Sequence, residues 1–124
     1  MKQIKFIDTK SITGPATVGI FTVGVTETAA GVGIATTSYI STVLMHNAGV
    51  HTCTSSLYIY PHTEESNGGA GVSAYRLIRT DLIPSQTYTY ENIWPFVLTD
   101  RQKLVVEVTG IGSVVNYHVL GGEE

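Results

Sequence analysis

The chain has 124 residues, of which 43% are hydrophobic and only 14% are charged, with a formal net charge of −3 at pH 7. This length accommodates a single domain over residues 1–124, and the acidic balance supplies no basic surface of the kind that nucleic acids bind. The sequence contains one cysteine, which excludes a disulfide within the chain. No run reaches the roughly 20 apolar residues that a membrane-spanning helix needs. We therefore expect neither nucleic acid nor membrane as a partner.

The first third of the chain predicts one strand between two less regular segments. Residues 1–14 are interpreted as a strand-like segment that ends at the pair Gly14-Pro15, and as a short N-terminal arm of the domain. They lack the long apolar stretch of a secretory signal, so we expect synthesis in the cytoplasm. Residues 16–26 are rich in β-branched side chains and predict a strand. One face of this strand is expected to carry Phe21, Val23 and Val25. Residues 28–37 are small and aperiodic, which favours a loop or an irregular edge segment.

The middle of the chain alternates between two predicted strands and a long connection. Residues 38–47 and 52–60 are the strands, separated by turn residues. Since successive side chains of a strand point to opposite faces, the second of these strands has a core face and an amphipathic face. The core face carries Cys53, Ser55, Leu57 and Ile59, and the other carries Thr54, Ser56, Tyr58 and Tyr60. Residues 61–71 concentrate charge, Ser and Gly and predict an exposed loop.

The last third, from Tyr75 to Leu120, predicts four further strands. Two precede the segment 93–96, where Pro95 cannot donate to a ladder and places Trp94 beside a bend or at a sheet edge. Two follow it and join through a glycine hairpin loop at 109–113. Their inward faces are expected to carry Leu104, Val106 and Val108 opposite Val115, Tyr117 and Val119.

Seven or eight strands at spacings of about ten residues, with no helical period, predict an all-β protein: a single antiparallel β-sandwich or jelly-roll-like domain. In the strand from Tyr75, the alternation places Arg76 and Arg79 on opposite faces, with one of them near an interface or a rim carboxylate such as Asp81.

The residues that carry chemistry predict no enzyme, no metal site and no cofactor. The four histidines match no zinc-ligand spacing, and His46 and His118 are expected to be hydrogen-bonded strand residues. Cys53 is expected to be a small buried hydrophobe. No phosphate-binding loop and no nucleophile elbow is present in the sequence.

Aromatic residues are the remaining group with functional potential. We single out Tyr58, Tyr60, Tyr88, Tyr90 and Trp94 as interface candidates. Such rings bury large apolar areas in cores or between subunits while their polar ends reach water. The alternative is a carbohydrate-binding module in which Trp94, Tyr88 and Tyr90 stack on a sugar.

The C-terminal half resembles small β-sandwich virion proteins of tailed bacteriophages. The resemblance is carried by an apolar-Pro turn at 81–84, a polar-aromatic segment at 86–90, an apolar-Thr-Asp turn at 96–100 and strands at 103–108 and 113–120. It implies a non-enzymatic structural protein of the virion, foremost a capsid decoration protein and alternatively a neck, collar, tail or baseplate accessory protein. It also implies a homo-oligomer, with a trimer favoured, that contacts the major capsid protein or other virion proteins.

Overall fold

A computed structural model describes residues 2–23, 25–27, 33–35, 37–61, 71–99 and 101–123. Within these ranges the chain forms strands and one 3₁₀ turn at Ser73–Tyr75. The strands are β1 (Lys2–Thr13), β2 (Ala16–Thr22), β3 (Val25–Glu27), β4 (Gly33–Ala35), β5 (Ser38–Asn47), β6 (Cys53–Tyr60), β7 (Arg76–Leu82), β8 (Thr87–Leu98), β9 (Lys103–Thr109) and β10 (Val114–Glu123).

Eight of the strands form two four-stranded antiparallel sheets. The first sheet has the order β1-β10-β5-β8 and the second has the order β2-β9-β6-β7, while β3 and β4 pair separately. The chain crosses from one sheet to the other between β1 and β2, β5 and β6, β7 and β8, β8 and β9, and β9 and β10, and it also changes sheets between β2 and β5. This order is that of an eight-stranded jelly roll. The predicted all-β sandwich is confirmed.

A single hydrophobic core lies between the two sheets. It contains the six predicted inward residues of β9 and β10, together with side chains from the other six strands of the sandwich. Its buried members are Ile12, Ile20, Val23, Ile40, Val43, Met45, Cys53, Leu57, Leu82, Leu98, Leu104, Val106, Val108, Val115, Tyr117 and Val119. Inside this core, the Tyr117 hydroxyl of the first sheet and the Ser55 hydroxyl of the second share a hydrogen bond of 2.6 Å. Burial raises the pKa of Tyr117, because the phenolate would lose its hydration there.

The N-terminal third differs from the sequence predictions. Residues 2–13 are not an arm but the strand β1, which pairs along β10 from Lys2 to Thr13. The strand predicted over 16–26 ends at Thr22, and a register shift between Gly19 and Phe21 changes its faces. Ile20 and Val23 are therefore buried while Phe21 is only partly buried. Part of the predicted loop is the strand β4, and residues 28–32 and 36 lie outside the described ranges.

Register shifts also explain two features of the C-terminal half. Ile40 is paired with Phe96 and Thr42 with Glu91, so several residues of β8 bulge out at the segment that contains Trp94 and Pro95. Since β8 is an edge strand, the predicted position of Trp94 beside a bend at a sheet edge is confirmed for its backbone.

The second shift lies between β6 and β7. Tyr58 is paired with Arg76 and Ser56 with Arg79. Residues directly opposite each other in a sheet share a face, so both arginines lie on the outer face of the second sheet. Their predicted placement on opposite faces is wrong, because the bulge adds one residue to the alternation.

Candidate functional site

Two of the five predicted interface residues are buried inside the chain itself. Tyr58 and Tyr60 are each 2% exposed and form a small cluster with Val105 on the outer face of the second sheet. Tyr75 packs against this cluster, and its ring meets that of Tyr60 edge-on at a centroid distance of 5.4 Å. Tyr58 and Tyr60 therefore pack against a segment of their own chain and do not form an exposed surface for a partner.

That segment is Gly71–Tyr75, and polar contacts fix it over the tyrosines. The backbone N–H of Val72 donates to the Tyr60 hydroxyl oxygen at 2.8 Å. Both oxygens of the Glu107 carboxylate are used, one by the Tyr58 hydroxyl at 2.5 Å and the other by the Gly71 N–H at 3.2 Å. Burial and the hydrogen bond to Glu107 raise the pKa of Tyr58. A Cβ at Gly71 would overlap the hydroxyl end of the Tyr58 ring, so this position requires glycine.

The remaining aromatic candidates lie on β8. Tyr88 and Tyr90 are half-buried, are paired with Met45 and Val43, and pack against the core at the open side of the sandwich. A sugar-stacking platform needs ring faces that reach solvent, and the packing of these two rings does not favour it. The side chain of Trp94, the third member of that platform, lies outside the described part of the structure.

The cysteine and the histidine that the structure describes in detail here are buried or hydrogen-bonded within the fold. Cys53 is buried, as predicted, and burial followed by the nearby Asp81 charge raises the pKa of its thiol, which makes the thiolate scarce. His46 Nδ1 is within 2.8 Å of the Thr87 hydroxyl, which agrees with its predicted role as a hydrogen-bonded strand residue. His62 lies outside the described residues. Among the described residues, no three His, Cys, Asp or Glu side chains come together in a group that could hold a metal ion.

Four connections meet at one end of the sandwich, and we call this region the loop end. It comprises residues 14–15, 48–52, 83–86 and 110–113, which join β1 to β2, β5 to β6, β7 to β8 and β9 to β10. Backbone hydrogen bonds join the first connection to the last: Gly14 N–H donates to Ser113 O at 2.7 Å, and Gly112 N–H donates to Gly14 O at 3.1 Å. Ala48 N–H donates to Val114 O at 2.8 Å, which joins the second connection to the start of β10.

Asn47 connects the remaining loops of this end from a fully buried position. Its side-chain amide donates to the carbonyl oxygens of His51 and Leu82, each at 2.9 Å, and its side-chain oxygen accepts from the Gly49 N–H at 2.9 Å. Its backbone adds bonds to Ser85 and Gln86. Because both polar groups of the side chain are satisfied, its burial carries little desolvation penalty. The loop end is thus a hydrogen-bonded unit.

The surface of the loop end combines exposed aliphatic side chains with polar residues such as His51, Thr52 and Ser85. Its residues include no Lys, Arg, Asp or Glu, although the chain as a whole is 14% charged. Three aliphatic side chains protrude from three different connections: Val50 is 80% exposed, Ile83 60% and Ile111 89%. Exposed apolar residues that converge in this way are typical of a surface that contacts another molecule.

Sequence reasoning missed this surface. The four segments were interpreted only as turns, on the strength of their Gly, Pro, Asn and Ser residues. A signal was present, since Val50, Ile83 and Ile111 each stand beside a Gly or Pro in a segment where polar residues are usual. That these segments lie together follows only from the strand order.

No protein-family model matches this chain, and no curated protein matches it significantly. In the described residues, no helix is long and apolar enough to cross a membrane. Function is therefore inferred from the geometry of the loop end.

Proposed function

We propose that this protein is a non-enzymatic structural protein of a bacteriophage virion that decorates the capsid, and that it docks onto the shell through the loop end. The observation that carries the proposal is the set of three exposed aliphatic side chains, Val50, Ile83 and Ile111, on a surface without formal charges. The resemblance of the C-terminal half to small β-sandwich virion proteins supports the same function.

The physical chemistry of the loop end suits it to a permanent contact. Burying its aliphatic side chains stabilises a complex by about 25 cal/mol per Å² of apolar area. No Lys, Arg, Asp or Glu has to lose its hydration at this surface, so the desolvation cost of binding is small. The hydrogen bonds of Asn47 and Gly14 hold the loops before binding, which limits the conformational entropy that binding removes.

Many copies of the same contact would further stabilise the decorated shell. A specific interface buries about 1,600 Å² in total, and a decoration protein repeats such a contact over a symmetric shell. Linked contacts of modest strength raise the overall stability far above that of one contact.

The test is co-sedimentation of purified protein with capsid shells assembled without it. We expect wild-type protein to pellet with shells, and Val50→Glu and Ile111→Glu to weaken binding at least tenfold, because each places a carboxylate in the apolar contact. Val97→Glu is the matched control: Val97 is an exposed aliphatic residue towards the other end of β8, and the charge change is the same. Its binding should equal that of wild type.

The outcome also separates shell decoration from a role in the neck, tail or baseplate. Binding to purified tails or necks but not to shells, with the same loss in the loop-end variants, would move the function to that alternative. Failure of wild-type protein to bind either, or undiminished binding by both glutamate variants, would contradict the proposed docking surface.

A further inference from the structure

Within the described residues, the strand β7 is an edge strand of the second sheet. Among the described strands it pairs only with β6, and it lies last in the order β2-β9-β6-β7. Its side chains alternate: Leu77, Arg79 and Asp81 are exposed, and Leu82 is fully buried in the core. An edge strand presents unpaired backbone N–H and C=O groups that can extend the sheet to another chain.

The charges on this edge have a particular arrangement. Arg79 and Asp81 are opposite Ser56 and Thr54 of β6 and therefore share the outer face of the sheet, with Thr80 between them. The Thr54 hydroxyl donates to Asp81 Oδ1 at 2.7 Å and orients that carboxylate on the outer face. Within the described part of the chain, Arg79 forms no ion pair.

We propose that β7 pairs with β7 of a second copy of this chain, antiparallel and about a two-fold axis at Thr80. In this register Arg79 of each chain lies directly opposite Asp81 of the other, so the pairing forms two equivalent ion pairs on one face. Directly opposite side chains in an antiparallel ladder have Cβ atoms about 4.5–5.5 Å apart. The two second sheets become one eight-stranded sheet that continues across the dimer.

The flanking residues fit the same register. Leu77, 38% exposed, stands at the bulge of β7 and is placed near Ile83 of the second copy, which is 60% exposed. The two-fold axis repeats this apolar pair on the other side of the ion pairs. Ile83 thus stands where the dimer contact meets the loop end.

The sequence of β7 favours a second copy over an unrelated strand. Arg79 and Asp81 are equidistant from Thr80, so only antiparallel self-pairing about that residue sets both charges against their opposites; parallel pairing would set like charges side by side. The edge strand of the first sheet on the same side, β8, carries one charged residue, Glu91. Self-pairing of β8 about Glu91 would oppose two carboxylates.

The dimer contact shares Ile83 with the proposed docking surface, but it is tested separately because it concerns the free protein. Sedimentation equilibrium should give about twice the chain mass of 13.3 kDa at micromolar concentrations. Arg79→Asp and Asp81→Arg should each weaken the dimer at least tenfold, because each opposes like charges across the axis. The double variant, in which the two charges are exchanged, should restore it. Lys10→Asp in β1 and Glu91→Arg in β8 make the same changes in net charge at other exposed strand positions and should leave the dimer intact.

Far-UV circular dichroism establishes that each variant retains its sheet content. A monomer at all concentrations, a three-fold mass, or a charge-exchanged variant that stays monomeric would overturn the two-fold register. Val50→Glu and Ile111→Glu, which test docking to shells, should leave the free protein dimeric. Loss of shell binding and loss of the dimer are therefore separate results.

Discussion

At the scale of single residues, Asn47 is the polar side chain on which the loop end depends most. It is fully buried, and its amide donates to two carbonyl groups, that of His51 in the connection after β5 and that of Leu82 at the end of β7. His51 lies outside the strands and Leu82 is the last residue of β7, so without the amide each carbonyl would lack this partner. A buried polar group left without a partner is destabilising by about 1–3 kcal/mol.

We expect Asn47→Ala to lower the free energy of unfolding by about 2–3 kcal/mol, because the Leu82 and His51 carbonyls lose their donor. Urea unfolding of the purified variant measures this. Asn116→Ala is the matched control: Asn116 is half-buried on β10 and accepts a hydrogen bond from the exposed hydroxyl of Ser11, so its loss should be under about 1 kcal/mol. Equal losses in the two variants would show that Asn47 has no special role.

At the scale of elements, two turns each have a residue other than glycine in the left-handed conformation. In the segments 83–86 and 99–102, the third residue has a positive φ, 66° at Ser85 and 60° at Arg101. In both, the side-chain oxygen of the last residue, Gln86 or Gln102, accepts from the N–H of the first, at 3.0 and 2.9 Å. The glutamine side chain thus stabilises a left-handed position that favours glycine.

The segment Gly71–Tyr75 provides a prediction at the same scale. Gly71→Ala adds a methyl group that overlaps the Tyr58 hydroxyl, so the segment has to move away from the tyrosine cluster. We expect a loss of about 1–3 kcal/mol, as for other overpacked positions, and faster hydrogen exchange at the Val72 amide, whose acceptor is the Tyr60 hydroxyl. Ser73→Ala, an exposed change in the adjacent 3₁₀ turn, is the control. Unchanged exchange at Val72 in the glycine variant would contradict the packing described here.

At the scale of the whole molecule, buried tyrosines couple stability to alkaline pH. Burial raises the pKa of Tyr117 above the ordinary value, and burial with the Glu107 hydrogen bond does the same for Tyr58. The folded state therefore retains these protons at pH values where the unfolded chain releases them. The resulting stabilisation is fully present below about pH 10 and is lost as pH rises above it.

We expect the free energy of unfolding to fall above about pH 10, by up to about 1.4 kcal/mol per pH unit for each such tyrosine. In Tyr117→Phe the fall should be less steep, because one of the two groups no longer titrates. Urea unfolding at several pH values between 8 and 12 (about one pH unit either side of the region in which tyrosine titrates) measures both slopes. The difference between the proteins at the lowest pH gives the separate effect of losing the hydrogen bond to Ser55. Identical slopes would contradict the role of Tyr117.

Local patterns were sufficient to predict most of the sandwich. The strand over 38–47 coincides with β5, and the core face of β6 is as predicted. The inward residues of β9 and β10 are also as predicted, although the predicted hairpin between these strands is wrong, because they lie in different sheets. In each case the alternation of apolar and polar residues along the strand indicates directly which face is buried. Predictions failed where a bulge interrupts that period, as after Gly19 and beside Arg76, because one extra residue exchanges the faces.

The sequence by itself determined the fold class, the strands with a regular alternation and the burial of Cys53, since these follow from the residues within one strand. Only the tertiary structure decided which surfaces face outward. Tyr58 and Tyr60 alternate like exposed residues but are covered by Gly71–Tyr75. Val50, Ile83 and Ile111 are distant in sequence and come together only because the jelly-roll order brings their loops to one end. Such convergence depends on strand pairing between remote segments, which no local pattern encodes.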